Sequence, residues 1–415
     1  MRNEIPYIES LPTHWSIIQN RFLFQYDGKK VGNKFEQYQL LSLTTSGVKQ
    51  RNINDAGGKV PTSYDNYQTV RKGQMVFCLF DLDCSAVFSG ISKYDGMITS
   101  AYDVFSSTGR MNNSFADYWF KYVFSNRYYK MFSKSIRYTI TGEMFRSLKT
   151  PVPPMDEQKR ISAFLHEQET KVNALIANVE LQIEKLKSYK QSLITEVVTK
   201  GLNPSAPMKD SGIEWIGEIP EHWSLIRFKD KWQNIKEVAG NSSEEYERLA
   251  LTLSGVIKRP KEDSEGLQPK AFDGYQILRE NNFIFKMIDL QNISTSRVGL
   301  SSFTGLVSPA YIRFVPKKEG QFPKYIYYFL MSMYYNCVYN NLGGNGVRSA
   351  LNASDMGNFV IPFPDEDEQR SIVEFLDKNF SQIDRLISLK QAKIDKLNEY
   401  KKSLIYEYVT GKKAV

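Results

Sequence analysis

The chain has 415 residues, enough for about two or three domains with cores of their own. Its formal net charge of +8 favours a polyanionic partner such as nucleic acid, although charge of this size does not decide the matter alone. The three cysteines form no CxxC pair, which argues against a disulfide scaffold or a zinc site. No signal peptide and no apolar run of membrane-spanning length is present, so we expect a cytoplasmic protein without membrane contact.

Two globular domains are predicted, over residues 1–150 and 204–360. Short apolar runs such as 74–80 and 282–285 predict strands, and clusters of Gly, Asn, Asp and Ser interrupt them. The aromatic-rich segments that predict helices in these domains are 115–132 and 322–339. Each domain is therefore predicted to be α+β, with an irregular, loop-rich sheet. The stretch 202–211 is interpreted as a linker into the second domain.

A long helical spacer is predicted after each globular domain, over residues 151–203 and 361–415. Prolines precede each helix, and Asp156 and Asp367 lie near the starts, where the helix dipole favours acids. At roughly 1.5 Å per residue such a helix is about 65 Å long, which is too long for one small domain. Apolar residues recur at steps of three and four in the first helix and indicate a coiled-coil stripe: Ile161, Leu165, Val172, Leu175, Ile176, Val179, Ile183, Leu186, Leu193 and Val197. The polar stretch 166–171 interrupts this stripe, which leaves room for a bend.

The second half of the chain repeats the first, and a repeat of this length outweighs any single residue as evidence. The helices match at Pro151, Asp156, Glu157, Gln158, Ile161, Tyr189, Lys190 and Leu193 with Pro362, Asp367, Glu368, Gln369, Ile372, Tyr400, Lys401 and Leu404. The globular domains match at His14, Trp15, Thr44, Gly47, Arg71 and Asp81 with His222, Trp223, Thr252, Gly255, Arg279 and Asp289. The predicted fold is thus a tandem duplication of an α+β domain followed by a long helix. Stretches between the matches differ, as expected of two binding domains with different specificities or of loops that drift.

Motifs of catalysis are absent from the sequence. There is no GxxxxGK[ST] phosphate loop, no GxGxxG after a strand and no methyltransferase motif of Asp/Asn-Pro-Pro-aromatic type. His14 and His222 occupy equivalent turns beside Trp15 and Trp223, where packing is favoured over catalysis or metal binding. No metal site is predicted. A binding or assembly role is therefore favoured over an enzymatic one.

At this point the chain resembles the specificity subunits of type I restriction-modification systems. The residues that carry the resemblance are the segment 212–223 (GIEWIGEIPEHW), Pro362-Phe363-Pro364 with Glu368-Gln369, and Ser403-Leu404-Ile405 with Thr410-Gly411-Lys412. Their order and spacing extend over nearly the whole chain. The first copy departs from the pattern at its helix end, where Thr199-Lys200-Gly201 stands in place of Thr-Gly-Lys.

The resemblance implies that residues 1–150 and 204–360 are two target-recognition domains, each of which recognises one half of a split, asymmetric DNA target. It implies that the two helices pair as an antiparallel coiled coil with pseudo-two-fold symmetry and act as the spacer. Two methyltransferase subunits would dock on this chain, and restriction subunits would join them. The chain itself would be non-catalytic and bind no cofactor, and the partner subunits would bring S-adenosylmethionine, ATP and Mg.

Polar runs after matching strands, and just ahead of each long helix, are the predicted DNA contacts, because base recognition requires directional hydrogen bonds. These residues are Lys49, Gln50, Arg51, Asn52, Arg137, Tyr138, Thr139, Lys258, Arg259, Asn345, Arg348 and Ser349. Any one of them is also compatible with a solvated surface charge. A coiled-coil adaptor that binds only protein is the alternative function, and it leaves the two basic, aromatic-rich domains unexplained. An enzyme with an undescribed site is a third hypothesis.

Overall fold

The computed structural model describes residues 5–52, 63–263, 271–290, 292, 295, 297–318, 322–342 and 350–415. The chain forms two compact units. The first unit comprises Met1–Glu180 with Gln391–Val415, and the second comprises Leu181–Lys390. Each unit therefore combines one globular part with segments of both long helices. We call the globular part that precedes the first long helix the first head, and the part between the two long helices the second head.

The first head contains ten strands and two helices in its described part, and the first long helix follows it. The strands are β1 (Ser16–Gln19), β2 (Phe24–Tyr26), β3 (Leu41–Thr44), β4 (Gly47–Gln50), β5 (Gln68–Val70), β6 (Met75–Phe77), β7 (Ser89–Ile91), β8 (Gly96–Ile98), β9 (Asp103–Ser107) and β10 (Lys149–Val152). The helices are α1 (Asn113–Ser125), α2 (Gly142–Ser147) and the long helix α3 (Met155–Lys200). Strands pair in the order β2-β9-β6-β7, with β1–β10, β3–β4 and β5–β8 as separate pairs.

The second head repeats this plan. Its strands are β11 (Met208–Asp210), β12 (Glu218–Pro220), β13 (Ser224–Arg227), β14 (Trp232–Asn234), β15 (Arg248–Thr252), β16 (Gly255–Arg259), β17 (Gln276–Leu278), β18 (Phe283–Phe285), β19 (Val298–Leu300), β20 (Gly305–Val307), β21 (Ile312–Pro316) and β22 (Val360–Phe363). Its helices are α4 (Phe228–Lys231), α5 (Pro323–Tyr335), α6 (Val338–Leu342) and α7 (Ala353–Gly357), and the long helix α8 (Glu366–Val409) follows. The sheet order β14-β21-β18-β19 matches that of the first head, and a second sheet runs β16-β15-β20-β17. The tandem α+β prediction is confirmed.

The core of the first unit includes residues from both long helices. Trp119 of α1 and Phe77 of β6 are fully buried in the same cluster as Leu165 of α3 and Val409 of α8. The rings of Phe164 and Tyr408 are in contact, with centroids 4.6 Å apart and planes inclined at 47°. Lys401 donates from Nζ to Asn173 Oδ1 over 3.0 Å. Since the residue numbers rise along one helix as they fall along the other, the two helix segments run antiparallel within this unit.

The second unit is built in the same way from the opposite ends of the helices. Val198 of α3 and Leu376 of α8 are fully buried against the second head. Lys190 and Asp384 form an ion pair of 2.8 Å between the helix segments, and they occupy the repeat positions of Lys401 and Asn173. The repeat in the sequence thus produces equivalent contacts in the two units, because matched residues meet matched residues.

One detail differs from the sequence-based expectations. The stretch 202–211 is not wholly a linker, since its last part is β11, which pairs with β12 in an antiparallel ladder. The polar stretch 166–171 is helical throughout, without a break. Its Glu169 accepts a hydrogen bond of 2.9 Å from the Tyr118 hydroxyl and lies 3.6 Å from Lys121 Nζ, so its polarity serves contact with the first head. Both long helices end before a glycine with positive φ, Gly201 (φ 73) and Gly411 (φ 70), as helix C-termini commonly do. None of the helices in the described part of the chain combines the length and the hydropathy needed to cross a membrane.

Candidate nucleic-acid interface

The first predicted contact run lies on a β-hairpin of the first head. Lys49 and Gln50 are exposed on β4, while Val48 beside them is buried. The hairpin register pairs Lys49 with Ser42, and the backbone N–H of Arg51 donates to Leu40 O over 2.9 Å. The buried Val48 anchors strand β4, so the run 49–52 begins on an ordered strand. Its polar side chains are exposed, apart from the half-buried Arg51.

The second run occupies the same position in the second head. Lys258 and Arg259 lie on β16, opposite Leu249 and Arg248 of β15. Lys258 Nζ is 2.6 Å from a carboxylate oxygen of Glu247, and both side chains are more than half exposed. Such an exposed ion pair contributes about 1 kcal/mol or less, so a phosphate group competes with it easily.

Arg259 is held more firmly than Lys258. Its Nε donates to Asp263 over 2.5 Å, and both side chains are about three quarters covered. A base contact by Arg259 would require this bond to break. The repeat aligns Gln50 with Lys258 and Arg51 with Arg259, so the structure brings the two predicted runs to equivalent hairpins.

The third predicted set lies in a loop of the first head, before α2. Arg137 is bound to Asp81 by two hydrogen bonds, from Nε to Oδ1 (2.9 Å) and from Nη2 to Oδ2 (2.7 Å). This guanidinium lowers the pKa of the Asp81 carboxyl below its usual value. Tyr138 has a left-handed backbone (φ 45), and its ring lies under the ammonium of Lys130, 4.0 Å from the centroid. Thr139 is exposed. Arg137 is therefore engaged within the protein.

The remaining predicted contacts, Asn345, Arg348 and Ser349, lie outside the described residues. By the repeat, Arg348 is the counterpart of Arg137, and Asp289 is the counterpart of Asp81. Asp289 shares with Asp81 a positive φ, 54° against 51°. The prediction for these three residues stays a prediction.

The glutamates at the starts of the long helices make tertiary hydrogen bonds that were not predicted from the sequence. Glu157 accepts hydrogen bonds from Trp15 Nε1 (3.2 Å) and His14 Nε2 (2.8 Å). In the second unit Glu368 accepts from both Trp223 Nε1 and His222 Nε2, each over 2.9 Å. The His-Trp and Glu-Gln pairs recur in both halves of the sequence, and this recurrence was the feature that could have indicated a contact between them.

The glutamines that follow these glutamates also form hydrogen bonds where each head meets the start of a long helix. Gln158 Nε2 donates to Pro153 O over 2.9 Å, and Gln369 Nε2 donates to Pro364 O over the same distance. Both glutamines are buried. His14 and His222 thus hydrogen-bond a head to a helix start, with side chains that are 58% and 55% exposed. Among the described residues there is no group of three or more His, Cys, Asp or Glu side chains that could hold a metal ion.

Comparison with known proteins gives a consistent result. Residues 255–399 match the family model described as the type I restriction modification DNA specificity domain. The type I restriction enzyme MjaVIII specificity subunit of Methanocaldococcus jannaschii is 26% identical over 289 residues, which are 66% of this chain and 64% of that protein. The putative type I restriction enzyme MjaX specificity subunit of the same organism is 27% identical over 287 residues, 66% of this chain and 61% of that protein. The chain thus spans less than two thirds of the length of these curated relatives.

The fold has a counterpart among solved structures. A chain from a structure described as the structural basis underlying complex assembly and conformational transition of the type I R-M system superposes with a TM-score of 0.67. The match covers 97% of this chain and 99% of the other, at 16% sequence identity. At 16% identity this likeness establishes the fold, that is, the arrangement of helices and strands, and nothing about the residues in the loops.

Proposed function

We propose that this chain, which belongs to the family of type I restriction-modification DNA specificity subunits, recognises a bipartite, asymmetric DNA target with its two heads. The observation that carries the proposal is the duplicated hairpin, which presents Gln50 in the first head and Lys258 in the second at the same structural position. Equivalent scaffolds with different exposed side chains suit two half-sites of different sequence. Because residues 255–399 of the family match include most of the second head, DNA recognition is favoured over the protein-only adaptor.

The proposed division of labour follows the duplication. Residues 1–150 and 204–360 would be the two target-recognition domains, and 151–203 with 361–415 would be the helical spacer. Dimeric DNA-binding proteins place two recognition elements at a fixed separation, and a duplicated chain achieves the same with one polypeptide. The polar run that follows each hairpin strand would contact bases, and exposed lysines would contact phosphates.

The long helices support a proposal about partners. Leu175 and Tyr400 in the first unit are 49% and 50% exposed, and their repeat counterparts, Leu386 and Tyr189, are 46% and 54% exposed in the second unit. Large apolar side chains exposed at matched positions are typical of docking surfaces. Two methyltransferase subunits would bind there, one to each unit, and restriction subunits would join this assembly.

The proposal assigns methyl transfer and cleavage to the partner subunits. They would bring S-adenosylmethionine, ATP and Mg, while this chain supplies the sequence recognition in the cytoplasm. Support comes from the sequence, which has no phosphate-binding loop and no methyltransferase motif. Assembly of the complex from this chain and its cognate methyltransferase subunits, followed by a DNA mobility shift, distinguishes DNA recognition from protein-only binding.

Exchange of the first head is the decisive test. Residues 13–149 would be replaced by the matching segment of a related subunit, which leaves α3, α8 and the second head unchanged. We expect one half of the methylated DNA motif to change and the other half to remain, because base contacts are local to a head. The motif is determined by mapping modified adenines in the genome of a host that carries the exchanged gene. A change in both halves, or in neither, contradicts two independent recognition domains.

A charge on one helix tests the partner proposal separately. Leu175→Asp should reduce the number of bound methyltransferase subunits from two to one, as counted by native mass spectrometry of the purified complex. Ala177→Asp is the matched control, since Ala177 is exposed on the same helix and about 200° around it at roughly 100° per residue. Retention of both subunits by the Leu175 variant would exclude this helix surface as a docking site.

A further inference from the structure

A tight turn in the first head presents one apolar side chain to solvent. In the loop 133–140 the backbone N–H of Tyr138 donates to Ser135 O over 3.0 Å, which closes a four-residue turn. Ile136 is the second residue of that turn, and its side chain is 98% exposed. Isoleucine has high strand propensity and is usually buried, whereas here it is accessible to a partner at the apex of a turn.

The turn is ordered by its own side chains. Ser133 Oγ donates to Thr139 O over 2.9 Å, and Ser135 Oγ accepts from the backbone N–H of Thr139 over 2.8 Å. These bonds cross the base of the loop from both sides. The position of Ile136 is therefore fixed before any partner binds, so contact with a partner costs little additional backbone entropy.

The loop is also tied to the neighbouring segment that follows β6. Leu82 N donates to Tyr138 O over 3.3 Å, and Ile140 N donates to Leu79 O over 2.9 Å. Arg137, the third residue of the turn, folds back and binds Asp81 through two parallel hydrogen bonds. Since the guanidinium is directed to Asp81, Ile136 remains as the projecting side chain of the turn.

The surroundings of the turn are basic. Residues 127–140 contain four basic side chains and no acidic one, and the facing segment 79–85 contributes two aspartates. One of these, Asp81, is paired with Arg137, and Lys134 beside the turn is exposed. A local excess of positive charge around a projecting apolar group fits a nucleic acid better than a hydrophobic protein surface.

We propose that Ile136 is a specificity-determining residue of the first head, which makes an apolar contact with DNA bases, and that Arg137 acts as a positioning residue for it. This inference rests on the proposed function and deepens it. Apolar side chains contact thymine methyl groups in the major groove, and isoleucine also enters base steps from the minor groove. The assignment differs from the sequence-based one, in which Arg137 itself contacts bases, because the structure commits its guanidinium to Asp81.

The test uses the complex of this chain with its cognate methyltransferase subunits. Dissociation constants would be measured for the genomic target and for a scrambled duplex of equal length. Ile136→Ala should weaken binding to the target about tenfold and leave the scrambled duplex unaffected, since the contact is apolar and specific to the site. Ile136→Val, which retains most of the side chain, should weaken it about threefold or less. Ile235→Ala in the second head is the matched control, because Ile235 is also an exposed isoleucine.

Each other outcome overturns the inference. Equal affinity of the Ile136→Ala complex for the target would show that the side chain touches no base. Loss of methyltransferase binding would assign the turn to a protein contact, and equal weakening on both duplexes would assign it to general DNA binding. Failure of the wild-type complex to prefer its target would instead refute the proposed function, so the two failures are distinguishable.

The positioning role of Arg137 has its own readout. Arg137→Ala and Asp81→Ala should each weaken target binding to a similar degree, and the double variant should be no worse than either single one, because both act through the same turn. The slope of log affinity against log salt should stay unchanged. If Arg137 contacted a phosphate instead, Arg137→Ala alone would lower that slope by about one, and Asp81→Ala would preserve or improve binding.

Discussion

The hydrogen bonds between the second head and the start of α8 predict how much stability the variant Glu368→Ala loses. The Glu368 carboxylate accepts hydrogen bonds from Trp223 Nε1 and His222 Nε2, each over 2.9 Å. Trp223 is only 1% exposed, so water cannot replace the lost acceptor. A buried donor left without a partner costs about 1–3 kcal/mol, and more when the lost partner carries a charge. The His222 side chain is 55% exposed and regains water, so it adds little.

We therefore expect Glu368→Ala to destabilise the second unit by about 2 kcal/mol. Hydrogen exchange measured by mass spectrometry on the full chain detects this loss locally. Amides at the start of α8 and around Trp223 should exchange about 30-fold faster under conditions in which the opening equilibrium controls the exchange rate. Glu368→Gln is the conservative control, because the amide oxygen can still accept from the indole, and its effect should be less than half as large.

The first unit contains an internal comparison for the same prediction. Glu157 accepts from Trp15 over the longer distance of 3.2 Å, and Trp15 is 7% exposed. Glu157→Ala should therefore cost less than Glu368→Ala. Equal exchange rates in wild type and Glu368→Ala would refute the reasoning, and so would an effect of Glu368→Gln as large as that of the alanine variant.

Three further predictions concern stability of the full chain. Tyr325→Phe removes a buried hydroxyl whose single proton is shared between the carbonyl oxygens of Val198 (3.1 Å) and Pro362 (3.0 Å). The change should therefore lower the free energy of unfolding by about 1–3 kcal/mol in urea denaturation; no change would mean that these carbonyls have other partners. Burial raises the pKa of the Asp103 carboxyl above 3.8, so the charged carboxylate destabilises the fold above that raised pKa, and the neutral acid has no such effect below 3.8. Asp103→Asn should therefore raise the melting temperature at pH 7 and leave it unchanged at pH 3. The opposite pattern would contradict this. Gly411→Ala should cost about 1–2 kcal/mol or more, because φ is +70° there, and a melting temperature equal to wild type would exclude strain at this residue.

The repeat and its periodicities were enough to predict much of the architecture. Steps of three and four in the apolar residues predicted the long helices, and α3 and α8 are indeed continuous over 46 and 44 residues. The aromatic segments predicted helices that the structure places at Asn113–Ser125 and Pro323–Tyr335. These features are local, since a helix period depends on which neighbours along the chain share a face. The prediction of a linker at 202–211 was partly wrong. A strand of three residues such as β11 is too short to show an alternation of apolar and polar side chains, so only its pairing with β12 identifies it as a strand.

The sequence by itself determined that the chain is a duplication, where its long helices lie and that its exposed polar runs are the candidates for DNA contact. Only the tertiary structure decided which of those candidates are engaged elsewhere. Arg137 meets an aspartate 56 residues away, and Trp223 meets a glutamate 145 residues away. The sequence pattern around Arg137 is the same whether its guanidinium faces solvent or a carboxylate. Its role depends on which distant segment the fold brings within hydrogen-bond distance, and periodicity along the chain carries no information about that distance.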